Sequence, residues 1–301
     1  MDATGRDGYS RFMKIAFLAS KVTLPASPSR RADFHEHVQT LEALRPPLAE
    51  QGLELEDISW DDPGANWSDY AAAVIGTTWD YWDRDDEFVA ALEAIESRTR
   101  LFNPLALVKW NRHKRYLETL AARGARLIPT LWLDTPTPQA VGVAFEKLGT
   151  DRLVLKRQVG AGAAGQHLLH RGGPVPDMSL AMMAQPYLPA IETEGEMSFV
   201  FIDGDLSHAL VKRPKPGDYR IQSLYGGVEE AICPDPDDIC AARDVLDLFE
   251  TPPLYARVDM LRGDSGGLFL MELELIEPFL YPLQGPQLGP RYAAALARRL
   301  R

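Results

Sequence analysis

Three acidic residues near the end of the chain have the types and spacing to hold a metal ion. Asp259 stands in the apolar run Ala256-Arg-Val-Asp-Met-Leu261, and Glu272 and Glu274 stand in a second run, Leu270-Met-Glu-Leu-Glu-Leu-Ile276. The Gly-rich segment Arg262–Gly267 between them predicts two strands joined by a turn. Side chains alternate along a strand, so Glu272 and Glu274 are expected on one face, with Met271, Leu273 and Leu275 on the other. Two adjacent carboxylates repel unless a cation lies between them. Hard oxygen donors from three acids suit Mg²⁺, which typically brings a nucleotide's phosphates with it. The competing reading is a solvated outer face, which Asp259 on the partner strand disfavours.

A second cluster could handle those phosphates. Gly160-Ala-Gly-Ala-Ala-Gly165 has the letters of a dinucleotide fingerprint, but Gln166-His-Leu-Leu-His170 and Arg171-Gly-Gly-Pro174 follow it. No long helix can start there, so a hairpin flap whose small residues lay backbone N–H groups over phosphate is expected. The Walker ending is absent. Lys156 ends the apolar strand leading into the flap and is placed either to neutralise a phosphate or to reach water along its aliphatic stem.

Other polar residues carry weaker signals. Thr77-Thr-Trp-Asp-Tyr-Trp-Asp-Arg84 follows a strand ending near Gly76. Loops at the carboxyl ends of strands face ligands in open α/β sheets, so Trp79, Asp80 and Arg84 are candidate substrate contacts. His35 and His37 lack a nearby third ligand and read as a pair at a helix start. His167 and His170 belong to the flap hairpin, and His208 lies in a strand with no role assigned.

The elements that must position these residues alternate at first and then change character. Strands are expected at Ile15–Ala19, Leu53–Ile58 and Ala72–Ile75. Helices are expected at His37–Leu48, interrupted by Pro46-Pro47, and at Asp85–Ser97. This is the pattern of a small, mostly parallel sheet covered by helices. Helices follow at Trp110–Arg123 and Gln139–Leu148 around a short segment at Ile128–Leu133. Strands then dominate: Leu153–Lys156, His167–His170, Met182–Tyr187, Met197–Ile202, Ser207–Val211 and Tyr219–Ser223. A helix at Asp235–Phe249, the two acidic strands, and a last helix over 286–301 complete the chain. Residues 1–12 read as a flexible extension, with Met13 a candidate natural start.

The 301 residues, 46% hydrophobic and 25% charged, are enough for one large domain or two to three subdomains. A formal net charge of −11 without a basic run argues against nucleic acid and anionic membranes as partners. No apolar stretch has the length of a membrane span, and no signal peptide is evident. Cys233 and Cys240 match no zinc spacing and form no disulfide framework, which fits a reducing cytoplasm.

The ordered set Asn111-Arg-His-Lys114, Leu153-Val-Leu-Lys156, the Gly-rich flap, Gln185-Pro-Tyr-Leu188, Gly195-Glu196, Lys212-Arg-Pro, Gly217-Asp-Tyr-Arg220, Gly226-Gly227, Asp259 and Glu272-Leu-Glu274 resembles the ATP-grasp ligases. It is most similar to the branch of glutathione synthetase and ribosomal-protein glutamate ligase, with O-ureido-serine cyclo-ligase a further relative. The resemblance spans roughly residues 104–285. It implies an α/β chain with the ATP-grasp fold: an N-terminal α/β domain at 13–104, then two α+β subdomains, 105–185 and 186–301, enclosing a nucleotide. Carried onto this sequence, it implies that Lys114, Lys156 and the flap glycines Gly160, Gly162 and Gly165 hold phosphates. Gln185, Tyr187 and Leu188 would flank adenine, and Glu196 would accept the ribose hydroxyls. Lys212 and Arg220 would face the γ-phosphate and acyl group, and Asp259, Glu272 and Glu274 would bind Mg²⁺, with Mn²⁺ as an alternative. Two positions depart from the pattern: Arg157 replaces a frequent proline, and Glu274 a frequent asparagine that would carry no charge.

The implied activity is an ATP-dependent carboxylate–amine ligase acting on a small amino acid or peptide, with a homodimer left open. A carboxylate is a poor electrophile, and phosphoryl transfer converts it into an acyl phosphate that an amine can attack. Catalysis then consists of positioning and charge neutralisation, with Arg220 the candidate for steadying the tetrahedral oxyanion. Three rivals are an intramolecular cyclo-ligase, a nucleotide-binding regulator without turnover, and a phosphotransferase that stops at a phosphate ester.

Overall fold

The computed structural model describes residues 12–160, 162, 165–221 and 226–301; the expected extension falls almost wholly outside them. Strand β1 (Met13–Ala19) is buried from Ile15 onward. Its two faces meet different partners. Ile15 and Phe17 pack with Leu41, Leu44 and Leu48 of helix α1 (Phe34–Glu50), and Ala16 and Leu18 pack with Phe88 and Leu92 of a helix further on. β2 (Leu53–Ser59) and β3 (Ala72–Ile75) flank β1, helix α2 (Asp85–Glu96) follows, and β4 (Arg100–Phe102) completes a parallel sheet of order β2-β1-β3-β4. The order reverses between β1 and β3, where open α/β sheets form their ligand crevice.

Pro46 and Pro47 do not interrupt α1. A helix-interior proline costs roughly 3 kcal/mol in isolation, and here the buried leucine stripe outweighs it. Pro47 has no N–H to bond the Ala43 carbonyl four residues back. Gly289 approaches that oxygen so closely that a Cβ would lie 2.1 Å from it.

The expected helix 110–123 is two helices, α3 (Leu105–Asn111) and α4 (Tyr116–Ala122). In the turn between them the Lys114 amide donates to the Gln158 carbonyl at 2.8 Å, which anchors Lys114 beside the next sheet. β5 (Leu131–Leu133), α5 (Pro138–Leu148), β6 (Arg152–Arg157), β7 (His167–His170) and β8 (Met182–Pro186) follow. They form an antiparallel sheet β5-β8-β6-β7 backed by Val141, Ala144 and Phe145 of α5. Thr137 caps α5 through Ala140 N–H, and Gly149 ends it in the left-handed conformation.

After α6 (Ala190–Thr193) come β9 (Glu196–Ile202), β10 (Asp205–Arg213), β11 (Val228–Ile232), α7 (Pro236–Leu246), β12 (Tyr255–Arg262), β13 (Leu268–Glu274) and α8 (Leu288–Leu300). The strands form an antiparallel sheet of order β11-β10-β9-β12-β13. The expected strand at Tyr219–Ser223 is not formed over 219–221; positions 222 and 223 lie outside the described residues. Asp218 Oδ1 instead accepts the Tyr219 and Arg220 amides, a local turn that competes with strand pairing. β11 was not expected from its exposed, acidic pattern.

One face of this sheet is divided along its length. Val200, Ile202, Leu210 and Tyr255 are covered by α8, while Glu196, Lys212, Arg257 and Asp259 continue the same face into a cleft, with Ser198 buried beneath Asp259. A seam of side-chain-to-backbone bonds ties this sheet to the first. Asn103 Nδ2 donates to the carbonyls of Tyr255 (2.9 Å) and Leu275 (2.8 Å), and its Oδ1 accepts the Leu254 amide at 2.7 Å. Asn111 spans Leu273 O and Leu275 N–H, and the Tyr255 hydroxyl lies 2.8 Å from the Ile75 and Ile276 carbonyls.

Candidate active site

The three sheets converge on a cleft of about 380 Å³. At one end Ile128, Val154, Tyr187, Ile191, Leu261 and Met271 form an apolar slot. Met271 was expected to face away from it. The register slips between Asp259 and Met260, so Asp259 pairs with Glu272 but Met260 pairs with Leu270. The unpaired Met271 is a β-bulge, which re-aims side chains and lets Met271 and Glu272 both line the cleft.

Beyond the slot the lining becomes ionic. Register places Lys212 opposite Glu196, Asp259 opposite Ser198 and Glu272, and Arg257 opposite Glu274. Cross-strand neighbours are close enough to pair. Lys212 Nζ sits 2.5 Å from Glu196 and 3.4 Å from Asp259. Ser198 donates to Asp259 at 2.5 Å. The Arg257 guanidinium donates to Asp259 (2.9–3.1 Å), to Glu274 and to the Phe279 carbonyl (3.0 Å). Lys114 Nζ bonds Glu272 and, at 2.9 Å, the Gly160 carbonyl.

Electrostatics separates these carboxyls. Burial alone would raise Asp259, but Arg257, Lys212 and the Ser198 hydrogen bond hold it down at about 2. Glu272 is likewise lowered, because Lys114 and Lys156 outweigh its burial. Burial prevails at Glu274, pushed up to about 7 against the pull of Arg257, with Asp259 and Glu272 adding to the rise. Burial, then Glu274, push Glu277 well above the usual carboxylate range. Burial also lowers Lys156, whereas Lys114 is raised because Glu272 outweighs burial.

Among the described residues no three His, Cys, Asp or Glu side chains are grouped as a metal site; the three expected acids are held by Lys114, Lys212 and Arg257. The chemistry of the donor set still suits a divalent cation. Glu272 and Glu274 both line the cleft, and Glu274 is a carboxyl that a nearby cation would return to its ionised form.

Most of the residues singled out in the sequence meet in this cleft: Lys114, Lys156, Gly160, Gly162, Gln185, Tyr187, Leu188, Glu196, Lys212, Arg220, Asp259, Glu272, Glu274 and Trp79 all line it. Arg220 is gripped by Asp218 (2.8 and 3.1 Å), and Gln185 donates to Thr130 at 2.9 Å. Ala161, Ala163 and Ala164 of the flap lie outside the described residues. Three expected contacts are not in the lining. Gly165 instead leaves room for Arg157, whose Nε would lie 2.4 Å from a Cβ there. Asp80 accepts the Trp60 indole N–H at 2.9 Å, and Arg84 is taken by Asp61 (2.7 Å) and Glu87 (2.6 Å) while stacking on Trp60. Those two side chains brace the loop that presents Trp79.

Several lining residues were missed. Arg257 lies two positions before Asp259, so strand alternation alone would have aimed it the same way. Arg31 and Asp33 come from the irregular loop after β1 and carried no signal. Arg31 donates to both Asp33 oxygens (2.8 and 2.7 Å) and to the Trp79 carbonyl (2.8 Å). Asp33 occupies the N-cap position of α1, where its carbonyl accepts the Glu36 amide at 3.0 Å but its side chain makes no cap bond. His37, also outside the cleft lining, is buried between Thr77 (2.7 Å) and Asp57 (3.3 Å).

Known proteins share this fold. Residues 15–103 match the family described as D-cycloserine synthetase DcsG, N-terminal domain. The chain is 30% identical over 289 residues to the cycloserine biosynthesis protein DcsG of Streptomyces lavendulae, covering 85% of this chain and 93% of that protein. The crystal structure of D-cycloserine synthetase DcsG superposes with a TM-score of 0.79 at 26% identity, covering 96% of this chain and all of the other. The ATP-grasp ligase PsnB, solved with a precursor variant, Mg and ADP, gives a TM-score of 0.66 at 16% identity over 97% and 99% of the two chains. A fold built on three sheets around one ionic cleft, with a relative matched along nearly its whole length, places the chain among the ATP-grasp ligases, in the family of the cycloserine biosynthesis protein DcsG.

Proposed function

We propose that the cleft uses ATP to convert a small-molecule carboxylate into an acyl phosphate, which a nitrogen nucleophile then captures with release of ADP and phosphate. As a member of its family the chain is an ATP-dependent ligase that forms C–N bonds. The observation that carries the site assignment is the junction of an apolar slot with an ionic end lined by Lys114, Lys156, Glu272 and Glu274. The slot fits adenine, with Gln185, Tyr187 and Leu188 on the strand beside it and Glu196 as the ribose acceptor. Lys114, Lys156 and the Gly160 and Gly162 backbone take the phosphates. Asp259, Glu272 and Glu274 would hold Mg²⁺, or Mn²⁺ in its place, and the ion when bound neutralises phosphate charge. Lys212, Arg220 and Arg257 orient the reacting carboxylate, and an arginine fork steadies the oxyanion that forms as the nitrogen attacks. Trp79 and Arg31 bound the substrate end.

We further assign residues 13–104 to the substrate domain, 105–185 to the central subdomain with the flap, and 186–301 to the metal-binding subdomain. No helix among the described residues is long and apolar enough to cross a membrane. The acidic balance and two exposed free cysteines suit a cytoplasmic protein, alone or as a homodimer, acting on small molecules or peptides rather than nucleic acid or membrane.

A cyclo-ligase that closes a ring within one substrate is the second reading, favoured by the match of residues 15–103 to the N-terminal domain of D-cycloserine synthetase. The test is ADP release with ATP and Mg²⁺ over a panel of amino acids and small peptides, with hydroxylamine as a trap. A hydroxamate demonstrates the acyl phosphate, and ADP release with no added amine and a ring product identifies cyclisation. Phosphate esters without hydroxamate would replace the ligase reading by a phosphotransferase.

A further inference from the structure

Five acids of the cleft have a cation beside them, whereas Glu277, like Glu229, has no ion pair with a described residue. Glu272 has Lys114, Glu274 has Arg257, Glu196 has Lys212, Asp259 has Arg257 and Lys212, and Asp33 has Arg31. The Glu277 carboxyl makes no ion pair with another described residue; the residue is half-buried, and the carboxyl's hydrogen bond is to its own backbone amide. The surface it keeps lines the main cleft and also a side cavity of about 30 Å³ behind Glu272 and Glu274. Lys114, the nearby cation, is already spent on Glu272 and the Gly160 carbonyl.

Burial and Glu274 disfavour the charged form of this carboxyl, and a cationic ligand placed beside it would be the partner that favours it. The position of Glu277 suggests the ligand. Glu277 follows β13 by three residues, and its own carbonyl accepts the Trp79 indole N–H at 3.0 Å. It therefore stands where the strand bearing Glu272 and Glu274 meets the loop after β3, at the crevice where the order of the first sheet reverses. The same cleft is also lined by the cations Lys212, Arg220 and Arg257. A ligand with an anionic group toward those cations and a cationic group toward Glu277 would balance both.

We propose that Glu277 anchors a cationic amino group of the substrate, so that the enzyme takes amino-acid-like acids and rejects the same acids without the amine. This rests on the ligase reading for the other end of the substrate. The anchor itself can be read without turnover, by ligand-observed NMR with ethylammonium chloride in the presence of ADP and Mg²⁺. Saturable binding that Glu277→Gln weakens at least tenfold is expected; equal binding in the two proteins overturns the proposal. In the ADP-release assay, an active amino acid should lose at least tenfold in kcat/KM when its amine is absent, and Glu277→Gln should raise KM for the amino acid by a similar factor. The Mg²⁺ concentration for half-saturation should stay within twofold. A parallel rise in the Mg²⁺ requirement would make Glu277 a metal ligand, and an equally good des-amino acid would show that the amine is not read; either result overturns the assignment. If no acid raises ADP release while ethylammonium still binds through Glu277, the ligase reading fails and the anchor stands.

Discussion

Replacing Arg257 by Met keeps an unbranched stem and removes the guanidinium at the centre of the cleft. The guanidinium donates to Asp259, Glu274 and the Phe279 carbonyl, and the residue is 7% exposed. Breaking a buried pair by deleting one partner typically costs about 3–5 kcal/mol. Asp259 keeps Ser198 at 2.5 Å and Lys212 at 3.4 Å, whereas Glu274 keeps no ion-pair partner among the described residues. The expected loss is therefore at the lower end, about 3 kcal/mol. A second substitution, Glu274→Met, removes the stranded charge and should recover about 1–2 kcal/mol of it. The penalty should also depend on pH. Burial already pushes Glu274 up to about 7, and losing Arg257 raises it further, above its unfolded value. A carboxyl raised in the fold contributes stability at low pH that is lost as pH rises through its folded pKa, so the penalty should grow through neutrality and shrink toward pH 5. Urea unfolding midpoints at constant slope measure all three quantities. A single variant within about 0.5 kcal/mol of the parent, or a double variant no more stable than the single, would refute the view that Arg257 neutralises these acids.

Glu272→Gln should raise the Mg²⁺ needed for half-maximal ADP release by at least about tenfold, a loss seen even for outer-shell changes; an unchanged Mg²⁺ titration would move the metal elsewhere. Arg220→Lys should lower turnover about 10²–10³-fold with little change in the ATP requirement, because one ammonium cannot replace a planar fork; Lys156→Ala should mainly raise the ATP requirement in the same steady-state assay. His208 is lowered to about 4, first by burial, so the unfolded chain binds its proton more readily between about pH 4 and 6.5. Stability should fall by on the order of 3 kcal/mol as pH drops through that window, and His208→Asn should flatten the slope seen in urea titrations at each pH. Gly289→Ala would drive a Cβ to 2.1 Å from the Ala43 carbonyl and should cost about 1–3 kcal/mol by thermal or urea unfolding.

Local patterns in the sequence carried much of this structure. The run Ala72–Ile75 is β3 to the residue, and the acidic runs are β12 and β13, because apolar alternation and Gly-rich turns act within a few residues. What stayed hidden depends on distant partners. The turn that places Lys114 is held by Gln158 from another sheet, and α1 passes through two prolines because α8 packs on it. The bulge at Met271 breaks the strict alternation on which the sequence reading of β13 relied. Arg31 and Asp33 sit in a loop whose route is set by Trp79, forty-eight positions from Arg31. Asp80 and Arg84 had the right chemistry in the right loop but the wrong direction, since Trp60 and Asp61 claim them first.

The seam between the first and third sheets is written almost wholly in side chains reaching backbone. Asn103 and Asn111 each grip a donor and an acceptor of the other sheet's chain, and the Tyr255 hydroxyl reaches two carbonyls. Amide and carbonyl groups are present whatever residue carries them, so Leu254, Leu273, Leu275, Ile75 and Ile276 can change identity without loosening these bonds. The seam's bonds are thus indifferent to side-chain identity on the receiving side, where the residues are core in their own right, and the risk to the bonds is concentrated in three residues. Asn103→Leu would leave one amide and two carbonyls with no partner in a place water cannot readily reach. Such a change would loosen the first sheet and its Trp79 loop from the acidic strand without touching a single residue that lines the cleft.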